Sequence, residues 1–437
     1  MTLFGIAWRN IRQRLLTSGL TALSLALGVA LVVATLVTAG IVKQAFNSGA
    51  GLGYNMIVGA KGSPLQLVLN SVYLISRPIE NISWAFYEQF LPADRRRDGQ
   101  AGTFAGSVKT AVPICMGDYF RGHRVVGTNA AYFDTLTFGN GKPFVFAEGK
   151  NFRDDDFFGG VLGAEVARTL GLKAGDSFSP THGADDGLVH DPFIVRGVLA
   201  RTDTPVDRGV YVNMEGFFLQ EGHAKPVEGA EPPPQRKAGD AAGGTPAPLP
   251  PEQREVTAIL VETASLPGLP PELMAMGLKQ AINEGREGQA AEPIREIRQL
   301  LDLFVRPLEL LLLLVTALVV VVSAIGILVS MVGSALERSR DVAVMRALGA
   351  RRGHVLATVL IEAILLAVGG GLAGWALGHA VVAAVGPLIT TGAGVTAGFF
   401  SFSPAELLLV PFLIALAILA ALLPAVSAYR TDVSRWL

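Results

Sequence analysis

Cysteine is nearly absent. Cys115 is the only one in 437 residues, so no intramolecular disulfide can form. It lies in the apolar run 111–116, which reads as a buried strand. Charge is scarce too. Asp, Glu, Lys and Arg make up 17% of the chain, against roughly 25% in soluble domains. With a mean hydropathy of +0.44, that shortfall points to membrane insertion. The charges sum to −1, which removes the electrostatic case for nucleic acid as a partner. Catalytic signatures are missing as well. There is no G-x-x-x-x-G-K-[ST], no H-E-x-x-H and no G-x-S-x-G. A self-sufficient P-loop ATPase, a zincin and a nucleophile-elbow hydrolase are thereby excluded, and no enzymatic role is expected.

Long apolar runs are what the chain does have. Residues 1–16 form an amphipathic stretch with Phe4, Trp8, Ile11 and Leu15 on one helical stripe and Arg9, Arg12 and Arg14 off it. It is expected to lie at the cytoplasmic interface. The run 17–42 has no charged residue. At about 1.5 Å per residue it is long enough to span a bilayer with tilt, and too long for the core of a cleaved signal peptide. Further spans are expected at 305–335, 354–385 and 405–429. The segment 336–353 carries Arg338, Arg340, Arg346, Arg351 and Arg352 against Glu337 and Asp341, so it is expected inside. The connector 386–404 has no Lys or Arg and is expected outside, while the tail 430–437 carries Arg430 and Arg435 and is expected inside. The fold class predicted is a polytopic α-helical membrane protein. It has four transmembrane helices and a large α+β extracytoplasmic domain, 43–304, inserted between the first two.

Within that domain, strands are expected at 55–58, 108–116, 119–127, 192–199, 209–213 and 256–263. Gly117-Asp118 reads as a hairpin turn between two of them. Helices are expected at 83–91 and 270–284, and the segment 160–176 reads as strand, helix and glycine stop. The stretch 222–254 is dense in Pro, Ala, Gly and charge and is expected to be a flexible insertion. From Glu292 a helical stripe of Ile294, Ile297, Leu300, Leu301 and Phe304 leads into the second span as a stalk, perturbed at Pro307.

From Glu337 the sequence reads ERSRDVAVMRALGARRGHVLATVLIEAILLAVGGGLAGWALG. It resembles the signature region of the FtsX-like permease family, which includes MacB-type and LolC/LolE-type ABC transporter subunits. The likeness is the pattern E-R-x-R-[DE]-x-A-x-x-R-A-L-G-A, followed by an apolar helix with a Glu near its start and a Gly-rich middle. VLGAEVARTLGLKAGDSF, followed by FIVRGVLA, resembles the MacB-type periplasmic core domain. The opening A-W-R-N-I-R resembles the start of such permeases. Near the C-terminus, Val433 stands where the family has proline.

The resemblance implies a non-catalytic permease subunit in the bacterial inner membrane, with both termini cytoplasmic. ATP and Mg²⁺ would bind a separate cytoplasmic ABC ATPase, since only sixteen residues precede the first span. No cofactor is expected on this chain. A second permease copy, identical or paralogous, is implied, with a periplasmic adaptor or lipoprotein as a further possible partner. The substrate class implied is lipophilic, lipoprotein or peptide. A second reading, from a different class, is an FtsX-like regulator signalling to cell-wall hydrolases; its outer domain is usually much smaller than this one.

The candidate coupling residues are Glu337, Arg338, Arg340, Val342, Met345, Arg346, Leu348 and Gly349. Val342, Met345 and Leu348 form an apolar stripe with a charged rim, as in a helix that docks in a partner's groove. Gly326, Ser330 and Ser334 in the second span, and Gly370, Gly374 and Gly378 in the third, recur every four residues and suggest close helix packing. The partner is open between another span and a second copy. Glu362 is an intramembrane carboxyl and so a functional candidate; the alternative is a structural place near the headgroups, capped or paired with an Arg of the 337–352 loop. His182, Asp186 and His190 are the candidates for a metal, near Asp185, Asp191 and the run Asp154 to Asp156. Their spacing fits no standard site and the glycines among them read as a solvated turn, so no metal site is expected.

Overall fold

The computed structural model describes residues 2–78, 80–139, 141–183, 187–227, 247–265, 268, 270–337, 351–393 and 399–430. The chain divides into two compact units, Met1–Lys43 with Asp302–Leu437, and Gln44–Leu301.

The first unit is helical. A short helix, Leu3–Gln13, opens it, with the Thr2 hydroxyl accepting from the Gly5 N–H at the N-cap. Long helices follow at Leu15–Ala50, Arg306–Glu337, Arg352–Ala393 and Leu409–Arg430. Three stretches among the described residues are long and apolar enough to cross a membrane: Leu15–Gln44, Pro293–Gly326 and Gly353–Gly386. A shorter apolar helix covers Glu406–Leu422. Leu25, Val29, Val33 and Val37 lie one turn apart on the first of these helices. They pack with Ala367, Val382, Leu413 and Ala417 as one buried cluster. Ala363, Leu366 and Ala421 form another, against which Ile11 of the short N-terminal helix rests. That helix was expected at the interface. Its Phe4 and Trp8 are exposed, while Ala7 is buried.

The helical path leading to the second span, Pro293–Leu300, passes through one π turn at Leu301–Val305 before Arg306–Glu337. The wider turn falls just ahead of Pro307. Proline has no N–H for the carbonyl four residues back, and its ring crowds that carbonyl.

The second unit is built on one eleven-stranded mixed sheet. Its strands in chain order are β1 Met56–Gly59, β2 Val108–Phe120, β3 His123–Thr128, β4 Phe146–Gly149, β5 Gly159–Leu162, β6 Ser177–Phe178, β7 Thr181–His182, β8 Phe193–Leu199, β9 Val210–Asn213, β10 Ala258–Thr263 and β11 Gln289–Ala291. The spatial order is β11-β1-β10-β2-β3-β9-β5-β8-β4, with β7 added to β2 and β6 to β8. Two pairs are parallel, β9 with β3 and β8 with β5. Helices cover both faces. Successive residues of a strand point to opposite faces, so Met56 and Val58 enter one core and Ile57 the other. Ile259 and Val261 likewise oppose Ala258 and Leu260. Cys115 is buried in β2.

Two expectations are corrected here. Gly117-Asp118 is not the hairpin turn. β2 continues through it to Phe120, with a register shift between Met116 and Tyr119, and the turn falls at Arg121 and Gly122, both at positive φ. The pair is a bulge, which adds a residue without ending the strand. The flanks of the 222–254 insertion are also packed. Lys225 N–H donates to the Gln253 carbonyl, Leu249 is buried, and Arg254 reaches back to the Leu249 carbonyl and to Glu215. Composition alone averages over the segment and cannot see these anchors.

Candidate functional site

Of the candidate coupling residues, Glu337 ends the Arg306–Glu337 helix. Arg338, Arg340, Val342, Met345, Arg346, Leu348 and Gly349 lie outside the described residues. The packing glycines are described. A Cβ on Gly370 would stand 2.8 Å from the Ala22 carbonyl oxygen, one on Gly374 2.4 Å from that of Ala26, and one on Gly378 2.9 Å from that of Ala30. The glycine stripe of the third span is therefore the seat of the first span within the same chain. Each contact advances four residues on both helices, as it must when small residues open a groove along a helix face. Gly326 differs: no described atom lies within 4 Å of its would-be Cβ. The side chains of Ser330 and Ser334 are outside the described set. Glu362 is buried and accepts from Asn10 Nδ2 at 3.4 Å. Its described partner is thus on the N-terminal helix.

In the second unit the fold brings His182 and His190 together and adds two residues that lie far off in sequence. His182 ends β7 and pairs across the sheet with Asp118 in the β2 bulge. His190 closes the same loop, with His182 N–H donating to the Leu188 carbonyl and His190 N–H to that of Pro180. His223 follows the Met214–Phe218 helix, its ring set on Phe217 with centroids 4.1 Å apart. The four side chains converge with ligand atoms all within 4.8 Å of one another. Asp186 lies outside the described residues. The aspartate run does not join them. Asp154 accepts from Ala130 N–H, Asp155 pairs with Arg153, and Asp156 with Arg196.

Asp118 and His223 are displaced from ordinary titration in ways that suit one another. Burial pushes the Asp118 carboxyl upward, but the His190 and His223 rings beside it outweigh burial and bring the pKa down to about 2. Burial holds the His223 ring below the usual imidazole value, against the pull of Asp118.

Two family models match this architecture. The MacB-like periplasmic core domain covers residues 18–237, and the FtsX-like permease C-terminal covers residues 313–433. The chain belongs to the FtsX/MacB-type ABC transporter permease family. Over 51 residues the permease is 47% identical to the macrolide export ATP-binding/permease protein MacB of Neisseria meningitidis serogroup A, and 45% to that of Neisseria gonorrhoeae. Those stretches cover 12% of this chain and 8% of each relative.

Sequence reading of the permease missed four residues that its structure makes conspicuous. Asp118 was hidden by reading its bulge as a turn, and His223 by assigning it to a flexible insertion. The other two are His379 and Glu406. His379 is fully buried and its Nε2 lies 2.9 Å from Glu406 Oε2, which also accepts from Trp375 Nε1 at 3.0 Å. Glu406 Oε1 accepts from the Ser403 N–H at 2.6 Å, closing a capping box. A signal was available: Ser403-Pro-Ala-Glu406 ahead of an apolar run is a capping-box pattern.

Proposed function

We propose that this permease is the membrane subunit of an ABC transporter of the MacB/LolCDE type, driven by an ATPase on a separate cytoplasmic chain. ATP and Mg²⁺ bind that partner. Closure of the ATPase pushes the 336–353 segment, and the spans carry the motion to the periplasmic domain. That domain exports or extracts a lipophilic, lipoprotein or peptide substrate. The reading includes four spans with both termini cytoplasmic, and residence in the bacterial inner membrane. It also includes a second permease copy beside the first.

The observation that carries it is the pairing of both family matches in one chain. Supporting the second copy, the Arg306–Glu337 helix exposes Leu310, Leu314, Leu318, Val321 and Ile325, with no described atom within 4 Å of a Cβ at Gly326.

The test is reconstitution of the permease with its cognate ATPase in liposomes. ATP-dependent release of a labelled lipid, lipoprotein or peptide is the expected result. Retention of the ATPase with hydrolysis but no release of any of the three favours the regulator. A fusion reporter at Asp207 that reads as cytoplasmic would end the transporter topology altogether.

A further inference from the structure

We propose that the periplasmic domain of this permease binds one zinc ion through Asp118, His182, His190 and His223. The argument is geometric. His223 Nε2 lies 3.1 Å from Asp118 Oδ1, 3.2 Å from His182 Nδ1 and 3.2 Å from His190 Nε2. Asp118 Oδ1 is 3.3 Å from His182 Nδ1, and Asp118 Oδ2 is 3.3 Å from His190 Nε2. A regular tetrahedron with zinc–ligand bonds of about 2.0–2.1 Å has edges of about 3.3–3.4 Å. The quoted distances are close to such edges, and all four ligand atoms lie within 4.8 Å of one another.

Hydrogen bonding accounts for this arrangement poorly. A neutral imidazole carries a single N–H, and one proton at His223 Nε2 cannot bridge three neighbours. Asp118 Oδ2 is buried and accepts no well-formed hydrogen bond from any described residue, despite the nearness of His190 Nε2. A cation at the centre uses all of these lone pairs together.

The surroundings hold the ligands in place. Asp118, His190 and the His223 ring are buried, while the His182 side chain is 47% exposed and leaves a way in from solvent. Gln220 is buried and its Oε1 accepts from the Asp191 N–H at 2.9 Å, tying the turn before His223 to the residue after His190. Gly222, at φ +87°, supplies the left-handed turn that aims His223 inward. Three imidazoles and one carboxylate suit a borderline ion such as Zn²⁺. They do not suit Ca²⁺ or Mg²⁺, which take oxygen shells of six or more, nor the thiol-rich sites of softer metals. The ion would join the β2 bulge, the β7 loop and the segment entering the Pro/Ala-rich insertion.

The experiment uses the full chain, purified untagged in detergent and stripped with chelator. Titration with Zn²⁺ should load one equivalent and raise the melting temperature, and Ca²⁺ and Mg²⁺ should do neither. Co²⁺ should give the intense visible absorption of a tetrahedral site. His182→Ala replaces the exposed ligand and should leave the apo fold unchanged. It should weaken Zn²⁺ binding by at least the about 10- to 100-fold seen when mere outer-shell partners are lost. His190→Ala should abolish the Co²⁺ spectrum, and His354→Ala, outside the cluster, should change nothing. Failure to take up a stoichiometric ion overturns the proposal, as does undiminished binding in both His182→Ala and His190→Ala.

Discussion

Gly374 and Ala26 lie so close that a methyl group on the glycine would stand 2.4 Å from the alanine's carbonyl oxygen. No side chain fits there without parting the first and third spans. Gly374→Ala should therefore destabilise the permease by about 1–3 kcal/mol, the usual cost of overpacking, and Gly374→Leu should prevent the helices from seating. Gly326→Ala, where a Cβ meets nothing described, should be neutral. Thermal melts of the three variants in one detergent decide this. Equal melting temperatures for Gly374→Ala and Gly326→Ala would refute the packing assignment.

That contrast shows what the sequence could and could not convey. Both small-residue series have the same four-residue spacing, so the pattern marks a groove but not its occupant. Three helices long and apolar enough to cross a membrane were legible, because a membrane demands length and apolarity from each segment separately. The sheet was legible strand by strand, through alternation. Its order was not, because β1 pairs with β10 across some two hundred residues. The His–Asp cluster needed three separate segments, at Asp118, at His182 and His190, and at His223, to meet at once. Asp118 also depended on a bulge, whose Gly-Asp pair has the composition of a turn. The Arg254 anchor was lost for a related reason: one ordered residue at the edge of a Pro- and Ala-rich stretch does not change its composition.

Arg254 gives the second prediction. Its guanidinium makes two parallel bonds to Glu215, at 2.8 and 2.9 Å, and stands over the Trp84 ring at 5.0 Å from the centroid. Arg254 is buried. Removing one partner of a buried ion pair strands the other, at about 3–5 kcal/mol. Arg254→Met should cost on that order, whereas Arg254→Met with Glu215→Leu should recover part of the loss. Denaturant unfolding of both measures it. A double variant worse than the single would show that Arg254 acts through packing rather than through the pair.

His379 and Glu406 give the third. The carboxylate holds His379, Trp375 and the Ser403 N–H at once. Glu406→Ala leaves all three without their acceptor. Each hydrogen bond to a charged group contributes about 1.5–3 kcal/mol, so the loss should exceed that of any single-partner change. Trp375→Phe should cost less than Glu406→Ala, because it deletes one donor and keeps most of the ring. Melting curves that rank these two in the reverse order would break the network reading.

The last prediction concerns transmission. Val342, Met345 and Leu348 recur at helical spacing between two spans, among Arg338, Arg340 and Arg346. An apolar stripe with a charged rim suits docking into a groove of the proposed ATPase. The competing account is that the stripe packs on the permease's own N-terminal helix, whose Phe4 and Trp8 are exposed. Met345→Asp separates the two. A carboxylate forced into an apolar groove costs several kcal/mol wherever the groove is. If the groove belongs to the ATPase, the permease alone melts as before. It then loses the ATPase on co-purification, or keeps it without coupling hydrolysis to the outer domain. If the groove is internal, the permease alone melts lower and bound ATPase is unaffected. A variant that melts normally, retains the ATPase and couples hydrolysis as before would show that the 336–353 segment does not transmit the motion.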